Sequence, residues 1–216
     1  MALVLSGCGV YDGTEVQEAV ASILALERAG AEVVCVAPNV AMPVVINHLT
    51  GQRMVGDERS VLVESARIAR GEVRDLATVL VEGLDAAVVP GGYGATRVLC
   101  DQARQGANAK ALPAVETFLK AMHGAGKPLG FLCLGPVVAA RVFGAGRPRL
   151  GIGADATALA DMAAMGAEVA TLGPRDLAVD RENRFVCAAA FTATTRISEA
   201  YEGIDRLVRA LFELMA

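Results

Sequence analysis

Five residues run Pro128-Leu129-Gly130-Phe131-Leu132 into Cys133, and Gly135-Pro136 follows. A short apolar run reads as a strand, and a proline just beyond the cysteine suits the first turn of a helix. Cys133 is therefore expected on a tight strand-to-helix turn, the arrangement of a nucleophile elbow. A thiol held there can add to a carbonyl carbon, and the helix N-terminus should lower its pKa and raise its thiolate fraction. The competing reading is a structural cysteine buried between two core elements.

Two other groups fit the same chemistry. The run Leu84 to Val89 ends in Pro90-Gly91-Gly92-Tyr93-Gly94, and glycines at a strand end expose backbone N–H groups that can face a developing oxyanion. An ordinary tight turn is the plainer explanation of that motif alone. Glu18 lies one helical turn beyond Asp12-Gly13-Thr14 and shares a helix face with Glu15. A buried carboxyl beside a thiol would have a raised pKa and could move protons, whereas an acid in a first helical turn also simply complements the dipole. Gly91 and His48, the latter in Val45-Ile46-Asn47-His48, are candidates for lining a substrate cleft. His123 falls near the end of the helix before the Cys133 strand, where a role facing the C-terminal dipole is expected. No histidine follows Cys133 in the chain, so a Cys-His pair is not assigned.

The elements that would position these residues alternate apolar runs with amphipathic segments, the sign of a parallel sheet covered on both faces. Strands are expected at Ala2 to Ser6, through Glu32 to Ala37, at Leu84 to Val89 and at Pro128 to Leu132. Helices are expected from Thr14 to about Ala29, with Thr14 and Gln17 as a capping box, from Glu58 to Arg70, from Pro113 to about Gly124, and from Gly135. Pro38 to Gly56 reads as irregular or partly extended. Late in the chain, Asp155 to Gly166 reads as helical, Leu177 to Ala190 as two strands joined at Glu182-Asn183, and Thr195 to Met215 as a terminal helix. No repeat or linker divides residues 1–216, so one domain is expected.

Composition narrows the function. The chain has a formal charge of -4, 54% hydrophobic and 4% aromatic residues, and no Trp. That leaves no basic footprint for nucleic acid or an anionic membrane. Despite a mean hydropathy of +0.44, the longest apolar stretch contains prolines and glycines and stops at Arg141, short of a spanning helix. The N-terminus lacks the basic region of a signal peptide, so a cytoplasmic location is expected. Five cysteines, at 8, 35, 100, 133 and 187, show neither a disulfide framework nor zinc-ligand spacing, and no metal is expected. Gly7-Cys8-Gly9 loosely fits a dinucleotide fingerprint, but the third glycine is displaced to Gly13 and no acid closes the second strand. No cofactor is expected.

The strings Ser6-to-Gly13 (SGCGVYDG), INHLTG, ARIARGE, VVPGGYGA and HGAGKPLGFLCLGP together resemble the ElbB family, a branch of the PfpI-like, class I glutamine amidotransferase-like superfamily. The likeness runs from the first strand to EGIDRLV near the C-terminus. It implies a flavodoxin-like sandwich and a homodimer, with Cys133 as nucleophile, Glu18 as its partner carboxylate, and the amides of Gly92 and Leu134 as the oxyanion hole. It further implies a cofactor-independent glyoxalase acting on a small α-oxoaldehyde. In one respect the chain departs from the superfamily: peptidase-like and many glyoxalase-like members place a histidine directly after the cysteine, and here Leu134 stands there. The alternatives are a non-enzymatic redox-sensing or partner-binding protein using Cys133, linked to isoprenoid biosynthesis, and an amidase that would recruit His48.

Overall fold

The computed structural model describes residues Met1–Ala216. The first half contributes β1 (Ala2–Val4), α1 (Val16–Arg28), β2 (Val34–Ala37), α2 (Val61–Ile68), β3 (Val73–Asp75) and β4 (Ala87–Val89). A π-helical turn, Ala95–Leu99, follows, and then α3 (Gln102–Gln105), α4 (Pro113–Gly124), β5 (Leu129–Leu132) and α5 (Gly135–Phe143). The rest forms β6 (Arg149–Ile152), α6 (Ala156–Ala164), β7 (Glu168–Thr171), β8 (Leu177–Asp180), β9 (Phe185–Ala188) and α7 (Ile197–Met215).

Seven strands make one sheet in the order β3-β2-β1-β4-β5-β9-β8, parallel throughout except for β8. The central strands are buried at every residue, as a sheet covered on both faces requires. Helix α1 packs against α7 and touches α2, while α5 packs against α4 and α6, which completes the flavodoxin-like three-layer sandwich. One continuous core of 53 buried residues runs through it. The chain leaves β1 toward β2 on one side and returns to β4 on the other. The loops after β1 and β4 therefore open at a topological switch point, where doubly wound sheets bind ligands.

Several boundaries differ from the sequence expectation, each for a local reason. Helix α1 is capped by Glu15, whose carboxylate accepts from the Glu18 N–H at 2.6 Å. Thr14 is no cap: its buried hydroxyl accepts from the Ser6 N–H at 2.7 Å and ties the end of β1 to the loop that enters α1. Helix α2 starts after Ser60, whose hydroxyl is its N-cap, and not at Glu58. The strand expected at Leu84 to Val89 contracts to Ala87–Val89, with Leu84–Ala86 linking it to a 3₁₀ turn at Val81–Gly83. Strand β3 and the separate β6-β7 pair were not read from sequence. β3 and β7 are short and mixed in polarity, and β6 has only four residues, so no alternation stands out. The stretch after Gly94, patternless in sequence, contains the π-helical turn and α3. The Pro38–Gly56 segment is held by isolated antiparallel bridges at Ala41–Ser60 and Ile46–Arg53. His123, in the last turn of α4, packs between Phe143 and Phe185, with ring centroids 5.1 and 5.2 Å away.

The roles of Thr14 and Gln17 can be separated. Thr14→Val strands a buried N–H and should cost about 1–3 kcal/mol of unfolding free energy. Gln17→Ala, at an exposed position with no capping bond, should stay within about 0.5 kcal/mol. Chemical denaturation of both variants checks this, and equal losses would restore the capping box.

Candidate active site

Strand β5 delivers Cys133 onto a backbone turn at φ +53°, a conformation that a side chain adopts only at an energetic cost and that recurs at functional turns. The Cys133 N–H donates to Ala188 O at 3.0 Å, so the elbow is pinned to the end of β9. The residue is 6% exposed, with Leu134 beside it at the start of α5. Strand β4, the parallel neighbour of β5, ends in Gly91-Gly92 directly alongside. A Cβ on Gly91 would lie 2.8 Å from both Cys133 Sγ and Leu134 N, so only glycine lets the two loops close on each other. Gly92 sits at φ +86°. The amides of Gly92 and Leu134 both face the Cys133 sulfur and favour negative charge there.

The loop after β1 is laced onto this pair of turns. Glu15 N–H donates to Gly91 O at 3.0 Å, Tyr93 N–H to Val10 O at 2.8 Å, and Gly94 N–H to Gly13 O at 2.8 Å. This places the first turn of α1 against the elbow and buries Glu18 completely. One Glu18 oxygen accepts from Gly91 N–H at 2.8 Å and the other from Phe191 N–H at 3.3 Å. The carboxyl also meets the Cys133 thiol. Four segments thus converge on one carboxyl: α1, the β4 turn, the elbow and the turn after β9.

No cation offsets this carboxyl. Burial, reinforced by the nearby Glu15 charge, pushes Glu18 up to about 7, although the amides of Gly91 and Phe191 and the Cys133 thiol pull the other way. Burial also raises the Cys133 thiol well above its ordinary range, and the Glu18 charge raises it further. The expected lowering by the helix terminus is therefore corrected. The Gly92 and Leu134 amides do stabilise the thiolate, but desolvation and a like charge outweigh them. At rest the pair is a neutral thiol beside a carboxyl poised to accept its proton near neutral pH.

Among the other candidates, Gly91 acts through close approach and its N–H. His48 is absorbed by the loop: Nε2 accepts from Tyr11 N–H at 3.2 Å and Nδ1 pairs with Ile46 O at 3.0 Å. Its ring lies against Tyr11, and no hydrogen bond joins it to Cys133 or Glu18. Cys35, Cys100 and Cys187 are buried, and desolvation raises all three, to about 11 for Cys100 and about 12 for Cys187. No three His, Cys, Asp or Glu side chains gather so as to hold a metal ion. The sequence reading missed Phe191, whose amide reaches Glu18 from a turn in which Ala190 has φ +44°. Pairing Phe185–Ala188 with Leu129–Leu132 in parallel would have brought that turn to the same end. Its run of alanines offered no chemical signal. Beside the elbow lies a cleft of about 440 Å³ that Tyr93, Thr96, Arg97 and Leu134 help to line, also unread from sequence.

A cysteine elbow, a glycine turn beside it and a buried acid on the first helix are carried here on the fold of the DJ-1/ThiJ/PfpI proteins. Oxidised DJ-1 from Toxoplasma gondii shares that fold with a TM-score of 0.55 at 21% identity, over 99% of this chain and 96% of its own. A crystallised isoprenoid biosynthesis protein with amidotransferase-like domain from Ehrlichia chaffeensis is much nearer, with a TM-score of 0.90 and 30% identity over 98% of both chains. The human glutamine amidotransferase-like class 1 domain-containing protein 3, mitochondrial, is 41% identical over 99% of this chain and 82% of its own. The ES1 protein homolog, mitochondrial, of Rattus norvegicus is 40% identical over 99% and 83%. No family model matches the chain. On these likenesses the chain belongs to the ElbB/ES1 family of class I glutamine amidotransferase-like proteins.

The charge balance at the site sets the reactivity of Cys133. Near neutral pH its alkylation by iodoacetamide, followed by peptide mass, should be slow and should climb as pH rises. Glu18→Gln removes the like charge that raises the thiol, so the climb should move to lower pH. A wild-type rate already at its plateau at pH 7 would contradict this electrostatic description.

Proposed function

We propose that the chain is a cofactor-independent glyoxalase acting on a small α-oxoaldehyde such as glyoxal or methylglyoxal. The observation that carries this reading is the pairing of Cys133 with the buried Glu18 carboxyl, whose pKa of about 7 suits a proton carrier. As the sulfur adds to the aldehyde carbon, the thiol proton passes to Glu18. The carbonyl oxygen becomes the anion of a hemithioacetal, for which the Gly92 and Leu134 amides are the available donors. Glu18 returns that proton to the hemithioacetal oxygen and is a carboxylate again. It then carries the proton from the former aldehyde carbon to its neighbour by way of an enediol, while the hydroxyl proton passes from the first oxygen to the second. The first carbon is oxidised to a thioester and the second reduced to an alcohol. Water cleaves the thioester, releasing the 2-hydroxy acid and restoring the thiol. No external oxidant or reductant is required.

The rival uses of the site are less well supported. A redox sensor needs an accessible, low-pKa thiol, whereas Cys133 is buried and raised. An amidase would need a histidine at the thiol, and both His48 nitrogens are engaged elsewhere. The homodimer and the small-molecule partner, with neither nucleic acid nor membrane as a ligand, are parts of the same proposal. No helix is long and apolar enough to cross a membrane. A cytoplasmic location is proposed from the sequence alone, beside relatives whose names are mitochondrial. A connection with isoprenoid biosynthesis rests on the name of the Ehrlichia protein.

The test is product formation from glyoxal and methylglyoxal, followed by NMR without added thiol. Wild type should form glycolate and lactate, Cys133→Ser should form neither, and Glu18→Gln should lose about 10²–10⁴-fold in kcat. Product from Cys133→Ser, or undiminished turnover by Glu18→Gln, would overturn the mechanism.

A further inference from the structure

The π-helical turn Ala95–Leu99 begins three residues beyond Gly92 and carries Arg97 into the cleft beside the elbow. Such turns often mark functional sites. Arg97 is half-buried, and no carboxylate lies within ion-pair distance of it. Its only hydrogen bond is from Nη1 to Tyr11 O at 2.8 Å, and its guanidinium lies 5.1 Å from the centroid of the Tyr93 ring. The Tyr11 carbonyl and the Tyr93 ring therefore fix the group and leave most of its N–H donors unspent. Its two props belong to the site: Tyr93 follows Gly92, and Tyr11 lies in the loop that leads to Glu18. In the same cleft is Leu134, next to Cys133.

The remaining charged groups of the cleft are already occupied. Arg104 pairs with Asp101 at 3.1 Å. Asp155 caps α6 by accepting from Ala158 N–H at 3.0 Å, and Asp161 accepts from Gln102 Nε2 at 2.5 Å. Arg97 is the cation without a counter-charge, partly withdrawn from water, where an incoming anion gains most. The two aspartates that also line the cleft would repel a dianion more than a monoanion, which favours a carboxylate over a phosphate ester.

We infer that Arg97 is a substrate-binding residue and that the substrate is an α-oxoaldehyde carrying a carboxylate. This rests on the glyoxalase reading of the cleft and narrows it. A suitable anionic probe is 4,5-dioxopentanoate. Its aldehyde carbon would be oxidised to a carboxylate and its ketone reduced to an alcohol, with one water taken up, giving 2-hydroxyglutarate. Methylglyoxal is the neutral probe.

Wild type, Arg97→Met and Arg97→Lys are compared on both probes by NMR. Protection of Cys133 from iodoacetamide by each probe gives a second readout that needs no turnover. Wild type should prefer the anionic probe by about tenfold or more in kcat/KM. Arg97→Met should bring the ratio toward one through KM, and Arg97→Lys should restore part of it. A ratio near one in wild type, or one that survives Arg97→Met, overturns the inference while leaving glyoxalase activity in place. If neither probe is turned over but 4,5-dioxopentanoate protects Cys133 only when Arg97 is present, the glyoxalase reading fails and the carboxylate site stands. Protection that ignores Arg97 overturns the site as well.

Discussion

Burying the Glu18 carboxyl without a cation is the constraint around which the rest of this molecule is arranged. Taking an acid out of water is costly unless it is neutralised or hydrogen-bonded. Here the compensation comes from amides that only a particular fold can supply: Gly91 from the end of β4 and Phe191 from the turn after β9. Those amides are in place because β4, β5 and β9 run parallel side by side and release their loops at one end. The residual cost is expressed as raised proton affinity, shared between Glu18 and Cys133. A site built this way does not need a preformed thiolate. On the proposed chemistry it needs instead a base that titrates near working pH and touches the thiol.

This alters the role of the helix terminus. Sequence alone suggests that the N-terminus of α5 activates Cys133. The structure shows the Gly92 and Leu134 amides at the sulfur, yet desolvation and the Glu18 charge still dominate. On the proposed chemistry, the amides would serve the oxyanion of the addition step rather than ionise the resting thiol. The fold by itself decides none of this, since its relatives carry names ranging from DJ-1 to amidotransferase-like proteins. The residue after the cysteine is Leu134, and the nitrogens of His48 are held by its own loop and by Tyr11. Chemistry that depends on a histidine therefore has no group to perform it at this thiol.

Much of the architecture was legible because its signals are strong locally. The apolar runs of β4 and β5 end abruptly in glycines or in Cys-Leu-Gly-Pro, and the amphipathic stretches of α1, α4 and α7 stand out between them. Cys133, Gly91 and Gly92 could be set side by side from that pattern. The role of Thr14 was not legible, because a threonine three residues before a glutamine fits a capping box equally well. Only tertiary packing turned its hydroxyl toward Ser6. Phe191 meets Glu18 through its backbone, which leaves no mark on residue type, and the π-helical turn that sets Arg97 in the cleft has no pattern in sequence. Strands β3 and β7 are short and mixed in polarity, and β6 is too short to declare itself.

The most direct test of the central claim is to titrate Glu18 itself, following its side-chain carboxyl carbon by ¹³C NMR and assigning the signal by its loss in Glu18→Gln. The account predicts a midpoint of about 7, with the resonance responding to alkylation of Cys133. A midpoint in the ordinary glutamate range, about 4.3, would show a solvated carboxylate with no hold on the thiol proton, and would contradict the account.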